Sequence, residues 1–504
     1  MSVAQLTRKA SNDTDLRASN RREDALFSAF SSLLPTLHIL KDRERLTPYE
    51  TDAFISHRAV PLCAVLPETA DQVAQILRIC AQLQVPVVTR GAGTGIAGGA
   101  IPIADGVLLV MTKLNHILEI DALARLMRVQ PGVRNLSVTE AVAHLNLFYA
   151  PDPSSQIVCS IGGNVAENSG GVHCLKYGLT THNIARVQCL TAEGEAITIG
   201  SHALDAPGYD LLALLTGSEG MLAVITEVTV KLKPMPTAVE TLLAAFTTVE
   251  QAAQCVSEII GAGIIPAALE MMDQMVVQAC ERFMAAGFPV DAQALLLCEV
   301  DGNAEEVAAE TNSVREILER FGATEIRRAH DDAARAKLWR ARKGAFAALA
   351  NIKPDYYTID GTIPRRCLPE VLARYAALGE QYGMLVANVF HAGDGNLHPC
   401  IFYDGSVAGE AERSEELGGK MLEICIEVGG TITGEHGVGL EKLKQMCVQF
   451  RAPELEMFHA VKHAFDAKGI LNPDKGIPLL KRCSEWGGMH ASAGRLVHAD
   501  IPRF

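Results

Sequence analysis

The chain has 504 residues, 48% of them hydrophobic and 21% charged. That exceeds the length at which one core keeps growing, so two or three packed domains are expected and a disordered chain or a small stapled scaffold is excluded. The formal charge of −14 argues against nucleic acid or anionic lipid as a non-specific partner and favours small molecules or proteins.

No apolar run approaches the roughly 18 uninterrupted residues of a membrane span. Met1 to Asp24 mixes charges without an apolar core, which does not read as a secretory signal. The 13 cysteines never occur as Cys-x-x-Cys, so reduced cytosolic thiols are expected, and the cysteines of this chain alone fit neither a disulfide framework nor iron–sulfur or zinc ligation.

In chain order, a helical lead-in spans about Asp24 to Leu40. Val60 to Val65, an amphipathic run from Thr69 to Leu83, and Pro86 to Arg90 then read as strand, helix, strand. A glycine-rich segment from Gly91 to Gly99 precedes a buried strand, Val107 to Met111. Short apolar runs follow at Met127 to Val129, Ala185 to Thr191, Ala196 to Ile199 and Leu222 to Leu232. Pro234 and Pro236 mark a boundary. Beyond them, longer strands alternate with helices (Leu242 to Thr248, Glu250 to Gly261, Ala267 to Met272, Ala294 to Val300, Ala304 to Phe321) as far as Gly469. That alternation predicts a sheet covered on one side by helices. The tail from Lys481, with Trp486 to His490, has no clear period.

Gly93-Thr-Gly95-Ile-Ala-Gly98 satisfies G-x-G-x-x-G after a strand, but the helix that a Rossmann site requires is missing. Gly99, Pro102 and the next strand come too soon. The loop can still wrap a pyrophosphate with exposed N–H groups. A second glycine-rich cradle lies at Pro151 to Pro153 and Ser160 to Gly171, followed by Tyr177-Gly178 and Gly217-Ser-Glu-Gly220.

Across Val60 to Pro236 these segments resemble the flavin-binding half of the vanillyl alcohol oxidase superfamily. The resemblance implies FAD extended between two α+β subdomains. Arg90, Gly91, Ala92, Gly93, Thr94 and Gly95 would wrap the pyrophosphate, and Pro151, Asp152 and Ser154 would approach the flavin. Gly162, Gly163, Asn164, Asn168 and Gly170, with Ile225, would line ring and adenosine. Relatives with covalently attached flavin often carry a histidine where Thr94 stands, so non-covalent FAD is expected.

Farther on, His391 and His398 lie seven apart around a glycine-containing turn, and Gly434-Glu435-His436-Gly437 adds a carboxylate and an imidazole. Two His and one Glu can form an open divalent-metal site, with zinc, iron and manganese not distinguished. Arg342 alone reads as a solvated helix charge.

The same segments resemble the cap of flavin-dependent D-2-hydroxy acid dehydrogenases, and Tyr356 to Arg366 with Gly430 to Gly434 resemble the glycolate oxidase branch. By that resemblance His391, His398 and Glu435 would hold the metal, His436 would be the base, Arg342 would clamp the substrate carboxylate, and Asn472-Pro-Asp-Lys475 would return to the flavin. The metal would acidify the 2-hydroxyl while the C2 hydride passes to flavin N5.

The expected fold is therefore α+β. A helical extension (1–57) precedes a two-subdomain FAD-binding domain of the vanillyl alcohol oxidase (PCMH) type (58–236), an α+β ferredoxin-like cap (237–478) and a tail (479–504). The expected activity is oxidation of glycolate or D-lactate to the 2-oxo acid. The branch also implies a second flavin-type subunit, an iron–sulfur subunit and a cytoplasmic location, with peripheral attachment to the inner membrane through those partners. Relatives acting on D-2-hydroxyglutarate carry lysine and asparagine where Thr358 and Cys400 stand. A D-2-hydroxyglutarate dehydrogenase, a metallohydrolase built on the two histidines and Glu435, and a non-catalytic flavoprotein scaffold are the rival readings.

Overall fold

The computed structural model describes residues 21–203 and 208–479, and beyond them a pairing of Ala491–Ser492 with Arg495–Leu496. Residues 1–20 and the stretch from Trp486 to His490 lie outside the described residues.

Cys63–Val65, Val107–Val110 and Val87–Arg90 form parallel neighbours of a four-stranded sheet, whose edge is Ile39–Leu40, antiparallel to Cys63–Val65. The lead-in is thus a helix over 21–33 that gives way to a strand rather than continuing to Leu40. The helix Ala70–Leu83 starts at Thr69, whose hydroxyl accepts from Gln72 N at 3.2 Å, and stops at Gln84, which takes a left-handed φ of 52°. Its apolar face, Val73, Ile76, Leu77 and Cys80, packs on that sheet. No helix follows the glycine loop 91–99 before the strand Val107–Val110, as the Rossmann test anticipates.

A second, antiparallel sheet runs in the order Ile117–Asp121, Leu126–Val129, Val224–Lys231, Ile184–Leu190, Ala196–Gly200. The helices Asn135–Val142 and Ile161–Glu167 cover its inner face. Ile117–Asp121 is exposed along its length, so burial did not mark it in the sequence.

The third sheet has seven strands, in the order Glu325–Arg328, Ala238–Phe246, Ala294–Gly302, Ala268–Asp273, Val386–Phe390, Pro399–Tyr403, Asp355–Thr358. Side-chain parity divides it. Leu296, Cys298 and Val300 face the helices Val249–Gly261, Ala304–Arg320, Leu368–Tyr382 and Glu410–Glu427. Leu295 and Leu297 face Gln274–Met284, Asp332–Lys343 and Ala345–Leu349. Both faces are therefore covered, which corrects the one-sided expectation. The unbroken apolar run from Ala294 to Cys298 is what a two-faced strand requires. Truncating Leu296 to Ala would cost about 2–5 kcal/mol.

The chain closes on itself. Asn472 N donates to Val87 O at 2.8 Å, and Leu471 bridges to Val87 in parallel. Among the described residues eleven cysteines are free thiols, whereas Cys447 is disulfide-bonded, which departs from uniformly reduced thiols. Among the described residues, no helix is long and apolar enough to cross a membrane.

Candidate functional site

The three sheets converge on one cavity of about 530 Å³. Its first wall is the loop Gly91 to Gly95, at the end of Val87–Arg90. Its second is the start of the helix Ile161–Glu167, where Ser160 Oγ accepts from Gly163 N at 3.4 Å. The two cradles abut: a Cβ on Gly91 would lie 2.3 Å from Ser160 Oγ. Gly91, Ala92, Gly93, Thr94, Gly95, Ser154, Gly162, Gly163, Asn164 and Ile225 all line the space, together with Arg342, His391, His398, Glu435 and His436.

The other expected cofactor residues stand behind the walls. Arg90 donates to Thr51 O at 2.7 Å beneath the first loop, and Pro151 O accepts from Asn135 Nδ2 at 3.0 Å. Asp152 is paired with His173 and Lys343 at 2.9 and 2.8 Å. Asn168 ends the helix with φ 55° and accepts from Thr181 N at 3.0 Å. Gly170 lies against Glu435, where a Cβ would meet Oε2 at 2.5 Å. Asn472 Nδ2 donates to Gly99 O and Glu219 O at 3.0 and 2.7 Å, so the closing segment reaches the first glycine loop.

The opposite wall comes from the seven-stranded sheet. His391 follows Val386–Phe390, and the chain turns through Gly395, at φ 82° and packed so tightly that a Cβ would sit 2.3 Å from Ile363 O. Only glycine fits there, and the turn brings His398 back beside His391 with ring centroids 5.1 Å apart. His391 Nε2 and His398 Nε2 lie 3.3 and 3.2 Å from the same Glu435 oxygen. Both ring nitrogens of buried His398 lack a hydrogen-bond partner, because its approach to Glu435 is not aligned for one. An orphaned imidazole nitrogen, His398 Nε2, facing a carboxylate that it shares with His391 Nε2 fits a divalent ion. Asp360, His398 and His436 form a second compact trio. Its Asp360 is already saturated, however: it accepts from Thr433 Oγ1, from the N–H groups of Gly434 and His436, from Asn396 Nδ2 and from Lys442 Nζ. The trio of His391, His398 and Glu435 therefore fits a metal ion better.

His436 stacks on His398 at 4.8 Å. Burial, outweighing nearby Asp360, pulls its imidazole down to about 4, leaving it neutral at physiological pH. Burial raises the Glu435 carboxyl, but the adjacent His391 and His398 outweigh it and hold the group well below the usual range. Arg342, 1% exposed, sits 2.5 Å from Glu270 on the neighbouring strand. Glu270 also accepts from His391 Nδ1 at 2.8 Å. Burial pushes the Glu270 carboxyl up, yet His391 and Arg342 bring it below the ordinary value.

The sequence reading missed Glu270, Asp360 as an organiser, and the buried carboxyls of Glu167 and Glu219 at the cavity wall. Glu270 did leave a signal, a lone charge inside the apolar run Ala267 to Met272.

Residues 61–200 match the family of FAD binding domains and residues 235–476 the C-terminal domain of FAD linked oxidases. Along 95% of this chain and 96% of that one, it is 56% identical to the glycolate oxidase subunit GlcD of Escherichia coli K12. The chain is an FAD-linked oxidase. A second relative, the D-lactate dehydrogenase of Archaeoglobus fulgidus, is 32% identical over 84% of this chain and 94% of its own. The solved structure of p-cresol methylhydroxylase overlays 92% of this chain and 97% of its own with a TM-score of 0.76 at 17% identity, which supports the expected α+β oxidase fold. The cradles accordingly belong to a flavoprotein, and the metallohydrolase reading, which left them unexplained, is set aside.

Proposed function

We propose that this FAD-dependent oxidoreductase oxidises a small 2-hydroxy acid, glycolate or D-lactate, to the 2-oxo acid. The observation that carries the reading is the shared cavity: two glycine cradles on one side, and Arg342, His436 and the His391–His398–Glu435 trio on the other. Residues 91–95, 154, 162–164 and 225 would hold FAD non-covalently, and it would supply the acceptor for the two electrons of the C2–H bond that breaks. His391, His398 and Glu435 would hold a divalent metal, which would supply the charge that acidifies the substrate hydroxyl.

The chain's own residues do the rest. Neutral His436, which lines the cavity, takes the hydroxyl proton at a ring nitrogen, and its Nδ1 has no hydrogen-bond partner to compete for that proton. The Arg342 fork binds and aims the carboxylate. Arg90, Pro151, Asp152, Asn168, Gly170 and Asn472 act by bracing the walls.

The E. coli relative is named a subunit, which supports an assembly. A second flavin-type subunit and an iron–sulfur subunit as partners, and a cytoplasmic location at the membrane periphery, are part of the proposal. So is the division into 58–236 and 237–478. Anaerobic mixing with D- and L-2-hydroxy acids tests the activity. Bleaching of the oxidised flavin band by D-lactate or glycolate is the expected result, and a flavin that no 2-hydroxy acid bleaches, even with partners present, returns the chain to the scaffold reading.

A further inference from the structure

We infer that Glu270 is a positioning residue whose single carboxylate sets both the His391 imidazole and the Arg342 guanidinium, so that the metal site and the substrate clamp are one mechanical unit. The inference rests on the proposed roles of His391 and Arg342 and extends them.

Glu270 lies in the middle of Ala268–Asp273, flanked by Leu269 and Met271, and is 0% exposed. It does not line the cavity, so it touches neither substrate nor cofactor. Its side chain instead meets two groups that do. Both carboxylate oxygens face His391 Nδ1, at 2.8 and 3.0 Å, and Oε2 lies 2.5 Å from Arg342 Nη2.

Two consequences follow. A hydrogen bond accepted from Nδ1 orients the His391 ring, with Nε2 turned toward Glu435 at 3.3 Å, where its lone pair would meet a metal ion shared with that carboxylate. The same carboxylate stops the long Arg342 side chain from swinging. Arg342 Nη2 meets Glu270 as an ion pair, but neither Nη2 nor Nε has an aligned hydrogen-bond partner, so donors of the fork remain available to a carboxylate in the cavity that Arg342 lines. His391 comes from residue 391, after one strand, and Arg342 from the last turn of Asp332–Lys343. Glu270 is the side chain that ties these two elements together at the site.

The test compares FAD-loaded wild type, Glu270→Gln, Glu270→Asp and His398→Ala. Equilibrium dialysis against Zn²⁺ or Mn²⁺ gives metal affinity, and stopped-flow flavin reduction by D-lactate or glycolate gives a saturating rate and a half-saturation concentration. Glu270→Gln keeps the shape but loses the charge, and should weaken metal binding about 10- to 100-fold. The saturating rate should fall roughly tenfold or more with half-saturation nearly unchanged, because the clamp still binds but no longer aims. Glu270→Asp keeps the charge but is one methylene short, and should lie between Gln and wild type.

A Gln variant with wild-type metal affinity and wild-type reduction overturns the inference. Equal losses in Asp and Gln accompanied by a lowered Tm also overturn it, as the mark of a merely structural carboxylate. Should the Gln chain not retain FAD, an Asp variant with wild-type metal affinity overturns it. Metal affinity equal in wild type and His398→Ala would sink the ligand trio and the His391 half of the inference together, while the reduction rates of Glu270→Gln still decide the Arg342 half.

Discussion

Lys343 Nζ lies 2.8 Å from the Asp152 carboxylate, fastening the helix that carries Arg342 to the loop Pro151 to Ser154 of the flavin-binding part. His173 extends the link, with Nδ1 2.9 Å from Asp152 and Nε2 3.3 Å from Glu299, and Trp339 Nε1 donates to Glu299 at 2.5 Å. The loop Pro151 to Ser154 and the helix of Arg342 are thus joined through a network of charges.

That network sets a pH dependence. Burial lowers the His173 pKa, but Asp152 and Glu299 more than reverse it and raise it to about 10. A group whose pKa is higher folded than unfolded contributes stability fully below its unfolded value, about 6.5, and loses it as pH rises through the folded one. The Tm gap between wild type and His173→Gln should therefore be largest at pH 6 and shrink toward pH 10. A gap that stays constant over that range would show that the charge on His173 does not matter.

The FAD should be bound without a covalent bond, because Thr94, which lines the cavity, has only a hydroxyl to offer where an attached flavin needs a stronger nucleophile. Acid precipitation should leave a yellow supernatant and a white pellet. Yellow colour that survives washing of the pellet contradicts this.

His398→Ala should lose the metal and substrate-driven flavin reduction while keeping its flavin. The imidazole with two orphaned nitrogens sits opposite the glycine cradles and packs on His391 and His436 rather than on the loops. Unchanged metal content in this variant would assign the ion elsewhere.

How much of this was legible beforehand follows from the range of the interactions. The cradles could be read because a loop that must approach a ligand by its backbone writes glycine locally, at Gly91, Gly93, Gly162 and Gly163. His391 and His398 could be read because one tight turn sets their distance. Glu270, 121 residues from His391, could not be joined to it by any local rule, since only the order of strands in the seven-stranded sheet makes them neighbours. Asp360 stood inside a recognised motif without a role, because its partners at Gly434, His436 and Lys442 come from a loop more than 70 residues away.

Turnover with a quinone or dye should be slow for this chain alone and fast in its assembly, since the sequence has no Cys-x-x-Cys pair to carry electrons from the flavin. Rates of the isolated chain that match those of the complex would remove the need for partners.

Substrate size should follow from charge. Arg342 is the one Lys or Arg among the described residues that line the cavity, and it is already half-engaged by Glu270. Thr358 Oγ1 and Cys400 Sγ lie 3.2 Å apart and pair with each other, so that end of the site offers no cation. Nearby basic residues do not fill the gap: Arg365 Nη1 donates to Gly393 O at 3.0 Å and Arg366 is exposed. A second substrate carboxylate would be desolvated without a counter-charge, costing about 3–5 kcal/mol, or roughly 150- to 5,000-fold in rate. Glycolate or D-lactate should accordingly reduce the flavin with a second-order rate constant at least about 100-fold above that of D-2-hydroxyglutarate. A Thr358→Lys substitution, which places an ammonium at that end, should narrow the difference. Faster reduction by D-2-hydroxyglutarate in the wild-type protein would mean that a cation reaches the site by a route these side chains do not provide.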